Sequence, residues 1–115
     1  MERVNIRHCQ DADRDHESSP RAYAHVGHRN NTICVASALV FLPREFVVGI
    51  LLHELGHLAG EWHSETGADR LGGELAGVRI MRRTHRGHGI ARNLEYVAPK
   101  DVARGLRVLK RLTDI

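Results

Sequence analysis

Residues 47–59 read VVGILLHELGHLA, an apolar run that contains two histidines and one glutamate. The apolar residues of this run suit a helix that is buried in a core. Pro43 fits the first turn of such a helix, and Gly60 is a residue type that commonly ends one. The segment therefore predicts a buried helix from Pro43 to about Ala59.

His53 and His57 are four residues apart in this helix, so they project from one face with their Cβ atoms about 5–6 Å apart. Both imidazoles can then reach one tetrahedral Zn²⁺ at about 2.0–2.1 Å. Glu54 follows His53 directly, and its carboxylate can take a proton from a zinc-bound water. The HExxH spacing predicts zinc-dependent peptide hydrolysis with Glu54 as the general base. Because HExxH strings also occur by chance, an inert helix is the alternative.

A catalytic zinc needs three protein ligands and one open position, and His63 is one candidate for the third ligand. The pattern from His53 to His63 is HxxxHxxGxxH, which resembles the extended motif of the metzincins. In that motif Gly60 permits a sharp turn that brings His63 to the metal. Only 52 residues precede His53, which leaves little room for the larger sheet of that family.

Glu65 is the other candidate for the third ligand. Ser64 is a good N-cap, so Glu65 should begin a second helix. If the two helices form an antiparallel hairpin, positions whose numbers sum to about 122 face each other. Glu65 then faces His57, and Asp69 faces His53. A carboxylate ligand and a second carboxylate that orients a ligand histidine are what a tuned zinc site requires. We favour Glu65 over His63 as the third ligand.

Three segments carry a family resemblance: Thr32–Val35, the helix with HELGH, and residues 65–75, which read ETGADRLGGEL. Together they resemble the ImmA/IrrE-type metallopeptidases, and minimal gluzincin-like families look similar. In these families a strand leads into the HExxH helix, and the next helix carries an ExxA[ND] run. The resemblance implies zinc ligation by His53, His57 and Glu65, proton transfer by Glu54, and orientation of a ligand histidine by Asp69.

The remaining segments predict an α+β fold. A small sheet of about three strands would pack on the HExxH helix, and its edge near Thr32–Ala36 would hold an extended peptide by strand addition. We expect this sheet to be antiparallel, and the whole of residues 1–115 to form one zincin-like minimal domain. The predicted strands are Arg3–His8, Arg21–Val26 and Thr32–Ala36. The predicted loops and turns are Gln10–Pro20, Gly27–Asn31 and Thr84–Gly89. The second helix should start after Ser64 and reach Val78 or Met81, and the last helix should start at Pro99.

Composition favours a cytoplasmic protein without a membrane partner, while the HExxH motif favours a peptide or protein substrate. The N-terminus has no apolar signal region, and no apolar run approaches the roughly 20 residues that span a bilayer. Residues 1–20 are largely polar, so flexibility is expected there. Two cysteines give no disulfide scaffold.

The segment from Arg79 to Arg111 is strongly basic, with ten arginines and lysines against Glu95 and Asp101. Such a bias raises an alternative function as a nucleic-acid-binding or partner-binding regulatory module. Tyr96 is its only aromatic residue for base stacking, so a solvated basic face is the favoured interpretation. A non-catalytic zinc domain, with both His63 and Glu65 as ligands, is a further alternative.

The other histidines, Trp62 and Cys34 receive structural roles. We expect four histidines to be solvated: His8, His16, His25 and His28. His85 and His88 should lie in an exposed loop. Trp62 should cap the core below the site, and Cys34 should be a small buried hydrophobe.

Overall fold

A computed structural model describes residues 3–8, 23–27, 31–87 and 90–115 of the chain. These residues form an α+β fold, as predicted, with a three-stranded sheet, a two-stranded sheet and three α-helices. The elements are β1 (Asn5–His8), β2 (Ala24–Gly27), β3 (Thr32–Val35), α1 (Arg44–Ala59), α2 (Glu65–Ala76), β4 (Met81–Gly87), β5 (Ile90–Tyr96) and α3 (Val102–Leu112), with 3-10 turns at Ser37–Phe41 and Pro99–Asp101.

The three-stranded sheet has the order β1-β3-β2. β1 runs parallel to β3 and β2 runs antiparallel to it, so the expectation of a purely antiparallel sheet is wrong. The expectation of an edge at Thr32–Ala36 is also wrong, because β3 is the middle strand and both of its sides are paired. Its residues Thr32, Ile33 and Cys34 are buried accordingly. Among the described strands, the edge that faces the candidate site belongs to β2.

Helix α1 is the centre of the fold, as its apolar sequence predicts. Phe46 and every residue from Val48 to His57 are buried, because the helix packs on the three-stranded sheet, on α2 and α3, and on β5. Pro43 occupies the N-cap position, and Gly60 ends the helix with φ 147°, a value that side-chain-bearing residues rarely adopt. The predicted bounds of this helix are confirmed.

Helices α1 and α2 form a hairpin in which their backbones nearly touch. A Cβ added to Gly56 would lie 2.1 Å from the carbonyl oxygen of Ala68, and one added to Gly72 would lie 2.1 Å from that of Leu52. Glycine is therefore required at both positions for this separation. The side chain of Ser64 caps α2 by accepting the N–H of Gly67 at 2.8 Å, which confirms the predicted cap.

Helix α2 ends earlier than expected, at Ala76 rather than at Val78 or Met81. Gly77 adopts the left-handed conformation with φ 66°, which closes the helix. The expected loop at Thr84–Gly89 is wrong for its described part, because Met81–Gly87 pairs with Ile90–Tyr96 as an antiparallel hairpin. This hairpin packs along α1 and brings β5 to the candidate site.

Helix α3 covers α1 on another side, as the spacing of its apolar residues predicts. Val108 and Leu109 are buried, and Gly105 lies against the side chain of Val48. After the helix, Thr113 forms an isolated parallel bridge with Val4, whose N–H donates to the carbonyl of Leu112 at 2.8 Å. The two ends of the described chain are thus joined at the β1 side of the sheet.

Some expectations fall outside the described residues. They are the loop Gln10–Pro20, most of the turn Gly27–Asn31, and the roles of His16, His28 and His88. In the part of the chain that is described, no helix combines the length and the apolar character needed to cross a bilayer.

Candidate metal centre

His53 and His57 meet on the buried face of α1, as their spacing predicts. Their rings are edge to face with centroids 4.6 Å apart, and the two Nε2 atoms are 3.1 Å apart. The residues are only 2% and 6% exposed. Two buried ring nitrogens therefore point at one common position.

The opposite nitrogen of each ring is held by an acceptor. Nδ1 of His53 lies 2.6 Å from Oδ1 of Asp69, and Nδ1 of His57 lies 2.6 Å from the carbonyl oxygen of Glu61. A carbonyl oxygen only accepts, so Nδ1 of His57 carries the proton and donates it. An ionised Asp69 requires the same of His53. When the rings are neutral, both Nε2 atoms then present lone pairs, which is how metal-ligating histidines are oriented.

The ionisation of Asp69 follows from its surroundings. Burial alone would raise its pKa, but hydrogen bonds from His53 and Arg82 outweigh that effect, so the pKa of Asp69 is lowered. For His53 burial acts in the opposite direction and lowers the pKa. The hydrogen bond to Asp69 and the charges of Glu95 and Glu54 outweigh burial, so the pKa of His53 is raised. The site as a whole attracts positive charge.

Glu65 supplies a third donor to the same position. As the first residue of α2 it points its carboxylate at both histidines, with Oε2 2.8 Å from Nε2 of His53 and Oε1 3.1 Å from Nε2 of His57. Ligands of a tetrahedral zinc are about 3.3 Å from one another, given bonds of about 2.0–2.1 Å. The three donor atoms are thus already spaced nearly as such an ion would require.

The hairpin register explains why these residues meet. Glu65 faces His57 and Asp69 faces His53, which is the pairing that the sequence predicts for an antiparallel helix pair. His63 is exposed, and it belongs to neither group of candidate metal ligands among the described residues. The structure therefore brings Glu65, and not His63, to the two imidazoles.

Glu54 lies beside this cluster and lines the same cleft. It is 8% exposed. Burial raises the pKa of Glu54 to about 8; the neighbouring His53 opposes this rise, and Glu95 and Glu65 add to it. Its carboxylate is close to the donor cluster without being one of the three converging groups.

Two charged residues of the β4–β5 hairpin, Arg82 and Glu95, complete the site, and neither is predicted there from the sequence. Arg82 lies directly opposite Glu95 in the hairpin. Its Nε donates to Oδ2 of Asp69 at 2.9 Å, and its Nη2 lies 3.2 Å from Oε1 of Glu95. Glu95 was visible only as one of two acids in a basic segment.

His53, Asp69 and Glu95 form a second group of donor atoms that are close enough to share an ion. Arg82 already contacts two of the three, so its guanidinium supplies the positive charge there. A cation at the second group would have to displace or adjoin this arginine. The group of His53, His57 and Glu65 is therefore the better metal site.

The donor cluster opens into a cleft of about 520 Å³. The lining of the cleft includes Ala24 and Val26 of β2, Tyr23 just before that strand, and residues 92–95 of β5. Arg92 stacks over the ring of Tyr23, with its guanidinium carbon 5.1 Å from the ring centroid.

Of three other side chains, Trp62 and His85 differ from the expectations and Cys34 agrees. Trp62 is half-buried and lines the cleft wall, so it does not lie below the site. His85 is on β4 and not in an exposed loop, because its ring packs 4.9 Å from that of Phe46. Cys34 is buried, as expected of a small hydrophobe.

Several arginines of the basic segment from Arg79 to Arg111 make contacts within the protein. Arg82 holds the carboxylates of the site, Arg83 pairs with Glu45 at 3.3 Å, and Arg104 donates to the carbonyl of Gly77 at 3.1 Å. These contacts give several of its charges a structural use that does not involve nucleic acid.

Comparison with known proteins finds no match: no family model, no curated protein and no solved structure is similar to this chain.

Proposed function

We propose that the protein is a zinc-dependent endopeptidase of zincin-like fold, with His53, His57 and Glu65 as metal ligands and Glu54 as the general base. The observation that carries this proposal is the convergence of Nε2 of His53, Nε2 of His57 and the carboxylate of Glu65. The Nδ1 atoms of both histidines are hydrogen-bonded to acceptors. Lone pairs that face each other at about 3 Å repel unless a cation or a proton lies between them. A divalent cation bound between the three groups would remove this repulsion.

The donor set selects the kind of metal. Two imidazoles and one carboxylate, with no thiolate, are the ligands of many catalytic zinc sites. When bound, Zn²⁺ would polarise the scissile carbonyl and lower the pKa of a water to about 7. Three protein ligands leave one position for that chemistry.

Glu54 would move the proton. Its carboxyl lines the cleft beside His53 and His57. A bound cation would oppose the rise in the pKa of Glu54, and the ionised carboxylate would then accept a proton during attack and pass it to the leaving amine. Asp69 fixes the ring of His53, and the Glu61 carbonyl fixes that of His57, so neither ring needs to reorganise.

The peptide substrate would add as a strand to β2, and not to the region Thr32–Ala36. The cleft is lined by β2 and by residues 92–95 of β5 as well as by His53, His57 and Glu65, so an extended backbone bound there would pass the ligands. Main-chain hydrogen bonds to a strand edge hold a substrate with little dependence on its side chains. Trp62 and Tyr23 would contact its side chains.

The test compares Glu54→Gln with Glu74→Gln, which makes the same change at an exposed site on α2. We expect both variants to hold zinc, as measured by elemental analysis after gel filtration. Hydrolysis of an unfolded protein such as casein should fall by roughly 10²–10⁴-fold in Glu54→Gln alone. Undiminished cleavage by Glu54→Gln with zinc in place would contradict the proposed role of Glu54.

A non-catalytic zinc domain is the second candidate, and one observation favours it. Oε1 of Glu95 lies 3.5 Å from Nε2 of His53, within the range of a fourth ligand. Four protein ligands would close the site and make it structural. The two candidate functions differ in whether Glu95 binds the metal as a fourth ligand.

A further inference from the structure

Glu95 is a fourth donor that stands beside the candidate zinc site. Its side chain is 13% exposed, and its Oε1 lies 3.5 Å from Nε2 of His53, the same nitrogen that faces Glu65 at 2.8 Å. The spacing of about 3.3 Å between ligands of a tetrahedral zinc is close to that distance. Glu95 is not grouped with His57 and Glu65, so its carboxylate would have to move toward them to reach the fourth coordination position.

Arg82 contacts the same oxygen of Glu95. Its Nη2 is 3.2 Å from Oε1 of Glu95 and 4.0 Å from Oε2 of Glu65. Its Nε donates to Oδ2 of Asp69 at 2.9 Å, which fixes the plane of the guanidinium. The arginine is about one third exposed, so these contacts are only partly screened by solvent.

We infer that Arg82 keeps Glu95 out of the fourth coordination position and thereby leaves that position free for substrate and water. The inference rests on the proposed zinc centre. It adds the reason why that centre would keep an open position and so be catalytic and not structural. Arg82 is a positioning residue, since it acts through Glu95. Arginine suits this task because its fork binds two carboxylates at once and stays charged.

A merely structural role for Arg82 predicts the opposite sign of the effect on metal affinity. If the arginine only orients Asp69, its loss loosens His53 and weakens zinc binding by about 10–100-fold. If it restrains Glu95, its loss adds a ligand and removes a positive charge near the ion. Zinc binding should then become tighter, on the order of tenfold, while hydrolysis is lost because the open position is filled.

The experiment uses the full chain as wild type, Arg82→Ala, the double variant Arg82→Ala/Glu95→Gln, and Arg83→Ala as a control for the loss of a neighbouring arginine. Zinc affinity is measured by competition with a chromophoric chelator, and the ligand set by the visible spectrum of the Co²⁺-substituted protein. We expect Arg82→Ala to bind zinc about tenfold more tightly, with a changed Co²⁺ spectrum and no hydrolysis. The double variant should regain the wild-type spectrum and measurable hydrolysis, and Arg83→Ala should keep the wild-type spectrum.

The single variant Glu95→Gln gives an independent test should Arg82→Ala not fold. In the presence of Arg82 its Co²⁺ spectrum should equal that of the wild type, since Glu95 is not a ligand there. A changed spectrum in Glu95→Gln would overturn the inference, as would an unchanged spectrum or weaker zinc binding in folded Arg82→Ala. A wild-type protein that takes up neither zinc nor Co²⁺ overturns instead the proposed metal centre itself.

Discussion

Gly72→Ala tests the geometry that brings the two metal-binding helices together. The added Cβ would lie 2.1 Å from the carbonyl oxygen of Leu52, whereas ordinary contact begins at 3.4 Å. The helices must therefore separate by about 1.3 Å, because a backbone carbonyl of a buried helix cannot rotate away. A backbone overlap this severe should lie at the upper end of the usual overpacking cost, about 3 kcal/mol, and alanine recovers up to about 1 kcal/mol of helix propensity. We expect a net loss of about 2 kcal/mol of unfolding free energy.

The same displacement should reach the metal centre. Glu65 and Asp69 are on α2, while the histidines are on α1, and a zinc site tolerates ligand shifts of only about 0.2 Å. Zinc affinity of Gly72→Ala should fall at least about tenfold. Stability is measured by urea unfolding in the presence of a chelator, so that bound metal does not contribute, and affinity by chelator competition.

Gly77→Ala is the matched control on the same chain segment. A Cβ there meets nothing within 4 Å, so the variant should lose only about 1–2 kcal/mol for its left-handed conformation, with zinc affinity unchanged. A Gly72→Ala protein as stable as the wild type, with the same zinc affinity, would refute the close approach of the helices.

Two further variants test how the ligands are held. Asp69→Ala removes the acceptor of Nδ1 of His53 at 2.6 Å, so zinc affinity should fall by about 10–100-fold, as chelator competition would show; unaltered affinity would exclude an orienting role. Ser64→Ala removes the cap of α2, so the unfolding free energy in chelator should fall by about 1 kcal/mol; equal midpoints of urea unfolding would contradict the cap.

The sequence was sufficient where structure is local. The bounds of α1 follow from Pro43, Gly60 and the apolar run between them, and Ser64 marks the start of α2 because its side chain caps the helix. The juxtaposition of His57 and Glu65 follows from the short link between two antiparallel helices. Each of these predictions depends on residues that are close in the chain.

The sequence was insufficient where pairing is long-range. Nothing in Thr32–Val35 distinguishes a middle strand from an edge strand, since that depends on where β1 and β2 pair. The strand Met81–Gly87 was read as helix and loop because charged residues obscure its alternation. With the hairpin missed, the opposed pair Arg82 and Glu95 could not be placed at the site.

The metal content of Glu65→Ala and His63→Ala, purified side by side without added zinc, decides which residue is the third ligand. The proposed metal centre predicts about one zinc per chain in the wild type and in His63→Ala, and loss of zinc in Glu65→Ala, because Glu65 is the one of these two residues that lies within 3.1 Å of both Nε2 atoms. Zinc retained by Glu65→Ala and lost by His63→Ala, or no zinc in the wild type, would contradict it.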